Sequence, residues 1–168
     1  AVVSFNMTGS GIGLDPHAFT ELDAFAANTY SRELADLGAV VAAVRRTLLP
    51  RPPDRLGILG HSRGGADAIL HTAHDPDVDA LVTWSAVARL DRWSEETRRE
   101  WREGGRIYVL NTRTGQQMPL DVTLLEDLEA RGEDLSVERA AERLEAPWLI
   151  LHGSADETVA AEEAARLA

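Results

Sequence analysis

Arg55-Leu56-Gly57-Ile58-Leu59-Gly60-His61-Ser62-Arg63-Gly64-Gly65 is the stretch that decides how this chain is read. An apolar run, Leu56 to Gly60, meets a helical pattern, Arg63 to His74, with Gly60-x-Ser62-x-Gly64 at the junction. A chain that turns this sharply from strand to helix leaves the central serine in a strained conformation, its hydroxyl projecting beyond the strand end. The residues two before and two after must be small, because their side chains would collide in so tight a bend. Gly60, Gly64 and Gly65 meet that requirement. Ser62 is therefore the candidate nucleophile. The backbone N–H of Arg63, at the helix start, is the candidate donor to an oxyanion. His61 is expected to point away from the serine into the layer between strand and helix, as a packing residue.

Working outward, three more short apolar runs read as strands: Ala1 to Asn6, Ala80 to Val87 and Trp148 to His152. They are mostly continuous rather than alternating, which predicts cover on both faces and a parallel sheet. Between the first two runs, Thr20 to Leu49 carries Leu34, Leu37, Val41 and Val44 at helical spacing until Pro50-Arg51-Pro52-Pro53 stops it. The alternation predicts a three-layer α/β/α architecture with a mostly parallel sheet. Residues 90–145 break that rhythm and read as a lid-like insertion, with a solvated extra layer that touches no substrate as the plain alternative. A helix capped by Ser94 runs to Gly104-Gly105, a hairpin follows around Thr112-Arg113-Thr114-Gly115, and helices are expected over Asp121–Ala130 and Val137–Glu145. The domain organisation is thus a core of 1–89 and 146–168, interrupted by 90–145. Trp93, Trp101, Met118 and Leu120 are expected to form a small core within the insertion.

Pro147-Trp148-Leu149-Ile150-Leu151-His152-Gly153-Ser154-Ala155-Asp156-Glu157-Thr158-Val159 supplies the second chemical element. A strand runs into a glycine-containing turn and presents Asp156 at its carboxyl end, where functional groups of open α/β sheets gather. A carboxylate there can orient and stabilise an imidazolium. The plain alternative is a helix cap, and Glu157 is the backup candidate for the acid.

Gly-His-Ser-Arg-Gly-Gly after a strand, followed by Leu-Ile-Leu-His-Gly-Ser-Ala-Asp-Glu-Thr-Val, resembles the α/β-hydrolase superfamily, most closely its dienelactone-hydrolase-like and prolyl-oligopeptidase-like branches. Ala1-Val2-Val3-Ser4-Phe5-Asn6-Met7-Thr8-Gly9-Ser10-Gly11 resembles the family's strand and loop before a long helix. The resemblance implies an eight-stranded fold of which these strands are the fourth to seventh. It also implies a serine nucleophile, an acid and then a histidine, in that order along the chain. One departure stands out: all five histidines, His17, His61, His71, His74 and His152, precede Asp156. His152 is expected to be structural, His71 and His74 lie on a helix face, and His17 sits in a loop.

The chain opens at Ala1 inside an apolar run and stops inside a helical pattern, so an incomplete α/β-hydrolase fold is expected, a fragment without the catalytic histidine. Without a base the serine hydroxyl stays a weak nucleophile. The expected function is a serine hydrolase cleaving an ester, thioester or amide through an acyl-enzyme, with this chain inactive alone. Acyltransferases use the same residues. The rival is a non-catalytic binding protein of the same fold.

Charge and composition exclude other classes. A formal net charge of −11 repels phosphate backbones, so no nucleic-acid partner is expected. With no cysteine, thiolate chemistry and Cys-ligated metals are ruled out in these residues. No apolar run is long enough for a membrane helix. No cofactor and no metal are expected; the partner is a small-molecule or peptide acyl substrate. Gly9-Ser10-Gly11-Ile12-Gly13 suggests a dinucleotide loop, but the position needing the last glycine holds Leu14 and Asp15-Pro16 does not open a helix. Asn6-Met7-Thr8 fits a glycosylation sequon by chance.

Overall fold

The computed structural model describes residues 1–168. In chain order the elements are α1 (Leu22–Ala26), α2 (Tyr30–Arg46), β1 (Gly57–His61), α3 (Arg63–Thr72), β2 (Ala80–Trp84), α4 (Glu95–Gly104), β3 (Arg106–Leu110), β4 (Gln117–Asp121), α5 (Val122–Ala130), α6 (Val137–Ala141), β5 (Trp148–Leu151) and α7 (Glu162–Leu167). They fall into two compact units. One comprises Ala1–Asp36 with Arg92–Arg131, the other Leu37–Asp91 with Gly132–Ala168.

The first unit is built on the antiparallel hairpin β3–β4, in which Arg106 pairs with Asp121 and Leu110 with Gln117. Gly115, at φ 71°, makes the left-handed turn that closes it. Trp101 of α4 is fully buried, its indole N–H donating to the Leu120 carbonyl at 2.9 Å. Met118 and Leu120 are buried with it, and Trp93 packs edge-on at 5.1 Å. These four aromatic and aliphatic side chains form the small core expected of them. α4 starts at Ser94, whose hydroxyl accepts the Thr97 amide, and ends at Gly105 in the left-handed conformation.

The single helix expected over Thr20–Leu49 is two helices. The break at Ala27–Thr29 has a local cause. The buried Asn28 amide donates to Glu33 Oε1 at 2.6 Å, and Thr29 Oγ1 accepts the Arg32 N–H at 3.2 Å. A short polar side chain that bonds nearby backbone, as Thr29 does, starts a helix rather than continuing one. A dinucleotide loop is excluded by the same region, because no helix follows Gly13 before Leu22.

The second unit holds the parallel sheet β1-β2-β5. Leu59 pairs with Val82 and Val82 with Leu149; His61 pairs with Trp84 and Trp84 with Leu151. α3 packs on β1 and β2, with Ile69, Leu70 and Leu81 almost completely buried. Leu37, Val41 and Val44 of α2 are buried as their spacing requires, and a Cβ added at Gly38 would lie 3.8 Å from the His71 ring of α3, in ordinary contact. α6 packs against α3. The opposite face is open: Leu59 is 67% exposed and Trp84 56%, with Leu149 and Leu151 beside them. Continuous apolar strands predicted cover on both faces; within this chain one face has it.

The strand expected over Ala1–Asn6 does not form. The segment pairs with no strand and lies largely exposed, Val2 at 95%. An apolar run becomes a strand only where a neighbour takes its N–H and C=O groups.

His71 makes the sheet-bearing unit sensitive to mild acid. Burial lowers its pKa, and the Arg45 and His74 charges act in the same direction against the opposing pull of Asp75, 3.3 Å away. Asp75 itself is raised by burial but held low on balance by its 2.7 Å ion pair with Arg45. The unfolded chain therefore binds a proton near pH 6.5 that the folded chain refuses, so stability falls as pH drops below that value. Urea melts between pH 8 and 5 should show the midpoint declining, with the decline reduced in His71→Gln. An unchanged slope in that variant would assign the effect elsewhere.

Candidate active site

Ser62 sits between β1 and α3 at φ 55°, ψ −122°, a conformation that non-glycine residues rarely adopt. Three backbone bonds hold it there. Its N–H donates to the Trp84 carbonyl at 2.9 Å, and its carbonyl accepts the Gly65 N–H at 3.0 Å and the Val87 N–H at 3.4 Å. Its side chain caps none of the α3 amides. The hydroxyl is thus not consumed by the helix it precedes.

The glycines divide by role. A Cβ on Gly60 would lie 2.2 Å from the Gly64 carbonyl oxygen and 2.7 Å from Gly65 Cα. One on Gly65 would lie 2.5 Å from Ala86 Cβ. Both positions are closed to any side chain. Gly64 departs from expectation: a Cβ there meets nothing within 4 Å, so the bend itself does not require a glycine at that position.

Arg63 is the first residue of α3, so its N–H belongs to the turn where the helix dipole is positive. Asp156 lies beyond the carboxyl end of β5. Because β1, β2 and β5 are parallel, Ser62 and Asp156 stand on the same rim of the sheet, separated by β2. Strands lie roughly 4.8 Å apart, so β1 and β5 are about 10 Å apart, leaving a gap that an imidazole can bridge.

Asp156 is firmly held as an anion. Its Oδ1 accepts the Thr158 N–H at 2.9 Å and the Val159 N–H at 3.0 Å. The Val159 amide, the Ser85 hydroxyl and the Thr158 amide, in that order, bring its pKa down to about 2. Hydrogen bonds to the charged form have this effect. The capping geometry and an ionised carboxylate on the rim therefore coexist. Glu157, the alternative acid, is exposed.

No histidine of this unit stands between the two. The His152 side chain is largely covered and its Nε2 bonds the Val159 carbonyl at 2.8 Å, 3.9 Å from Asp156 Oδ2, as a brace of the loop. His61 packs edge-on against Trp84 at 5.7 Å. It lies exposed, not in the strand–helix layer where the sequence placed it, because successive strand residues face opposite ways and Gly60 is the one turned toward α3. His74 bonds the Leu70 carbonyl at 2.9 Å and His71 faces Asp75. Ser85 is the residue that sequence reading passed over: it was counted inside a strand running to Val87, whereas β2 ends at Trp84 because Ser85 takes φ 46°.

No protein-family model matches the chain. Among curated proteins, the 2,6-dihydropseudooxynicotine hydrolase of Paenarthrobacter nicotinovorans is 29% identical over 131 residues, 76% of this chain and 30% of that protein. Among solved structures, ferulic-acid-bound Est1E from Butyrivibrio proteoclasticus aligns with a TM-score of 0.66 at 20% identity, over 86% of this chain and 56% of its own. A putative hydrolase from Agrobacterium vitis S4 gives 0.63 at 19%, with the same coverage of both chains. The esterase domain of a Rhodothermus marinus protein gives 0.52 at 23%, covering 84% and 54%. The chain spans a little over half the length of these structures and under a third of the curated relative. The likeness over more than four fifths of this chain to esterase and hydrolase structures, together with its parallel sheet flanked by helices, shows that the chain has the α/β-hydrolase fold.

Proposed function

We propose that these residues carry the nucleophile and the acid of a serine hydrolase, with the base supplied from outside the 168 residues. The observation that carries this reading is the strained Ser62 on the same rim as an ionised Asp156, one strand apart. The Ser62 hydroxyl attacks the carbonyl carbon of an ester, thioester or amide, and a histidine takes its proton. The Arg63 N–H helps hold the oxyanion, and Asp156 steadies the imidazolium. The proton passes to the departing alcohol, thiol or amine as the acyl bond breaks, and water then releases the acid from Ser62. The substrate is an acyl compound, small molecule or peptide. The hydrolase and esterase names among the similar proteins support the class.

The second reading, a non-catalytic member of the fold that binds without turnover, draws on one observation: no histidine of the sheet-bearing unit bridges Ser62 and Asp156. An active-site fluorophosphonate separates the two. The 168-residue chain should remain unlabelled, while a form extended by the coding sequence beyond Ala168 to include its next histidine should label at Ser62 and lose labelling in Ser62→Ala. Strong labelling of the short chain would refute the external base. An extended form with no histidine and no labelling would establish the binder.

A further inference from the structure

We propose that Glu163 is a positioning residue: its carboxylate ties the chain that follows the acid loop to the loop that steadies the nucleophile. The proposal deepens the reading of Ser62 and Asp156 as nucleophile and acid and rests on it for its functional meaning. The loop after β2 runs buried, with Ala86 2%, Ala88 1% and Leu90 4% exposed. Buried backbone outside a ladder must find acceptors for its N–H groups elsewhere. The Val87 N–H finds the Ser62 carbonyl at 3.4 Å. The Ala88 N–H donates to Glu163 Oε2 at 2.7 Å, from a residue 75 positions further along the chain.

Glu163 reaches both halves of the site. Its backbone N–H donates to the Ala160 carbonyl at 2.9 Å, so it stands in the turn that begins one residue beyond Val159. Val159 gives its N–H to Asp156 Oδ1 at 3.0 Å, and its carbonyl accepts from His152 Nε2 at 2.8 Å. On the other side, one peptide bond joins Ala88 to Val87, whose N–H holds the Ser62 carbonyl. Ser62 and Asp156 follow strands that are not neighbours, since β2 lies between β1 and β5. A bond from the continuation of the acid loop to the chain leaving β2 therefore fixes the two against one another.

The charges around this bond do less. Glu138 of α6 meets Arg89 and Arg166 at 3.4 Å each, and both arginine side chains are about half exposed. Long ion pairs open to water contribute little. The bond to Ala88 differs in kind, because its donor is buried and its acceptor is charged, which shortens and strengthens it. The apolar packing of α7 falls to the buried Leu167 and needs no acid at position 163. Glu162, one residue earlier on the same helix, is exposed.

The test uses Glu163→Ala, which removes the acceptor, beside Glu163→Gln, which keeps an oxygen there without the charge, and Glu162→Ala as the exposed control. Amide exchange followed by NMR on the 168-residue chain needs no turnover. The Leu81 amide, bonded to the Pro147 carbonyl in the sheet, reports any general loss of stability. Relative to Leu81, the Ala88 amide of Glu163→Ala should exchange about tenfold faster, and the Val87 and Val159 amides about threefold faster with it. Glu163→Gln should restore most of the protection, and Glu162→Ala should leave it unchanged. In an extended form that labels at Ser62, Glu163→Ala should slow fluorophosphonate labelling about fivefold, with Glu163→Gln close to the parent. Should Glu163→Ala fail to fold, Glu163→Asp, one methylene shorter in reach, supplies the same comparison. Unchanged protection of Ala88, or faster exchange confined to Ala88, would overturn the proposal, as would labelling of Glu163→Ala at the parent rate. An extended parent that never labels at Ser62 would overturn the catalytic reading instead, and exchange at Val87 and Val159 would still decide whether Glu163 couples the two loops.

Discussion

Gly60→Ala should unfold the elbow, lowering stability by about 3 kcal/mol or more, whereas Gly64→Ala should stay within about 1 kcal/mol of the parent. The added methyl of the first would occupy space 2.2 Å from the Gly64 carbonyl oxygen and 2.7 Å from Gly65 Cα. Both obstacles are backbone, so no side-chain rotation relieves the clash, and the strand-to-helix turn must open. Opening it pulls α3 away from β1 and β2, where Ile69 and Leu70 are buried against the sheet. Against a total stability of roughly 5–15 kcal/mol, that loss is a large share. Gly64 lies within α3 and meets open space, so alanine there exchanges backbone freedom for helix propensity. Urea denaturation of both variants gives the comparison. Equal midpoints would mean that the turn is looser than its geometry shows.

Asp156→Asn should lower kcat by about 10⁴ in a form that carries the base, with KM little changed and the fold intact. An asparagine oxygen can still accept the Thr158 and Val159 amides that the carboxylate now accepts at 2.9 and 3.0 Å. The loop therefore persists while the charge is lost. Activity that survived the exchange would move the acid's role to Glu157 or remove it altogether. The pH profile offers a second check. Because the folded pKa is about 2, Asp156 stays ionised throughout the working range, and an acid limb near neutrality would belong to the histidine. The linkage has a definite sign. A carboxyl whose pKa is lowered from 3.8 to about 2 stabilises the fold fully above 3.8, and that contribution fades between 3.8 and 2. The stability difference between wild type and Asp156→Asn should shrink over that window.

The open sheet face bears on how such experiments are run. Leu59, Trp84, Leu149 and Leu151 form one apolar surface on β1, β2 and β5, and β1 has a free edge besides. Exposed apolar sheet of this kind favours association, so dilute protein is preferable.

Local chemistry made most of the site legible in advance. The bend at Gly60–Gly65, the strand before it, the helix after it and the acid loop at Gly153–Val159 each depend on neighbours a few residues away. Sequence carries such information directly. So too with the Ser94 cap and the Gly105 stop of α4. Pairing partners were not legible. Ala1–Asn6 has the composition of a strand and forms none, since a ladder needs a neighbour that composition does not reveal. Asn28 and Thr29 divided a helix whose apolar stripe alone looked unbroken, because a buried side-chain bond outweighed the periodicity.

The sequence by itself determined that a serine would be lifted at a glycine-flanked bend and that a carboxylate would follow a later strand. Tertiary structure alone decided that β2 lies between them, that both stand on one rim, and that the chain leaves β2 at Ser85 with a positive φ. The physical reason is range: a backbone turn is settled by sterics over a few residues, whereas strand order and the rim that two loops share depend on which distant segments pack side by side.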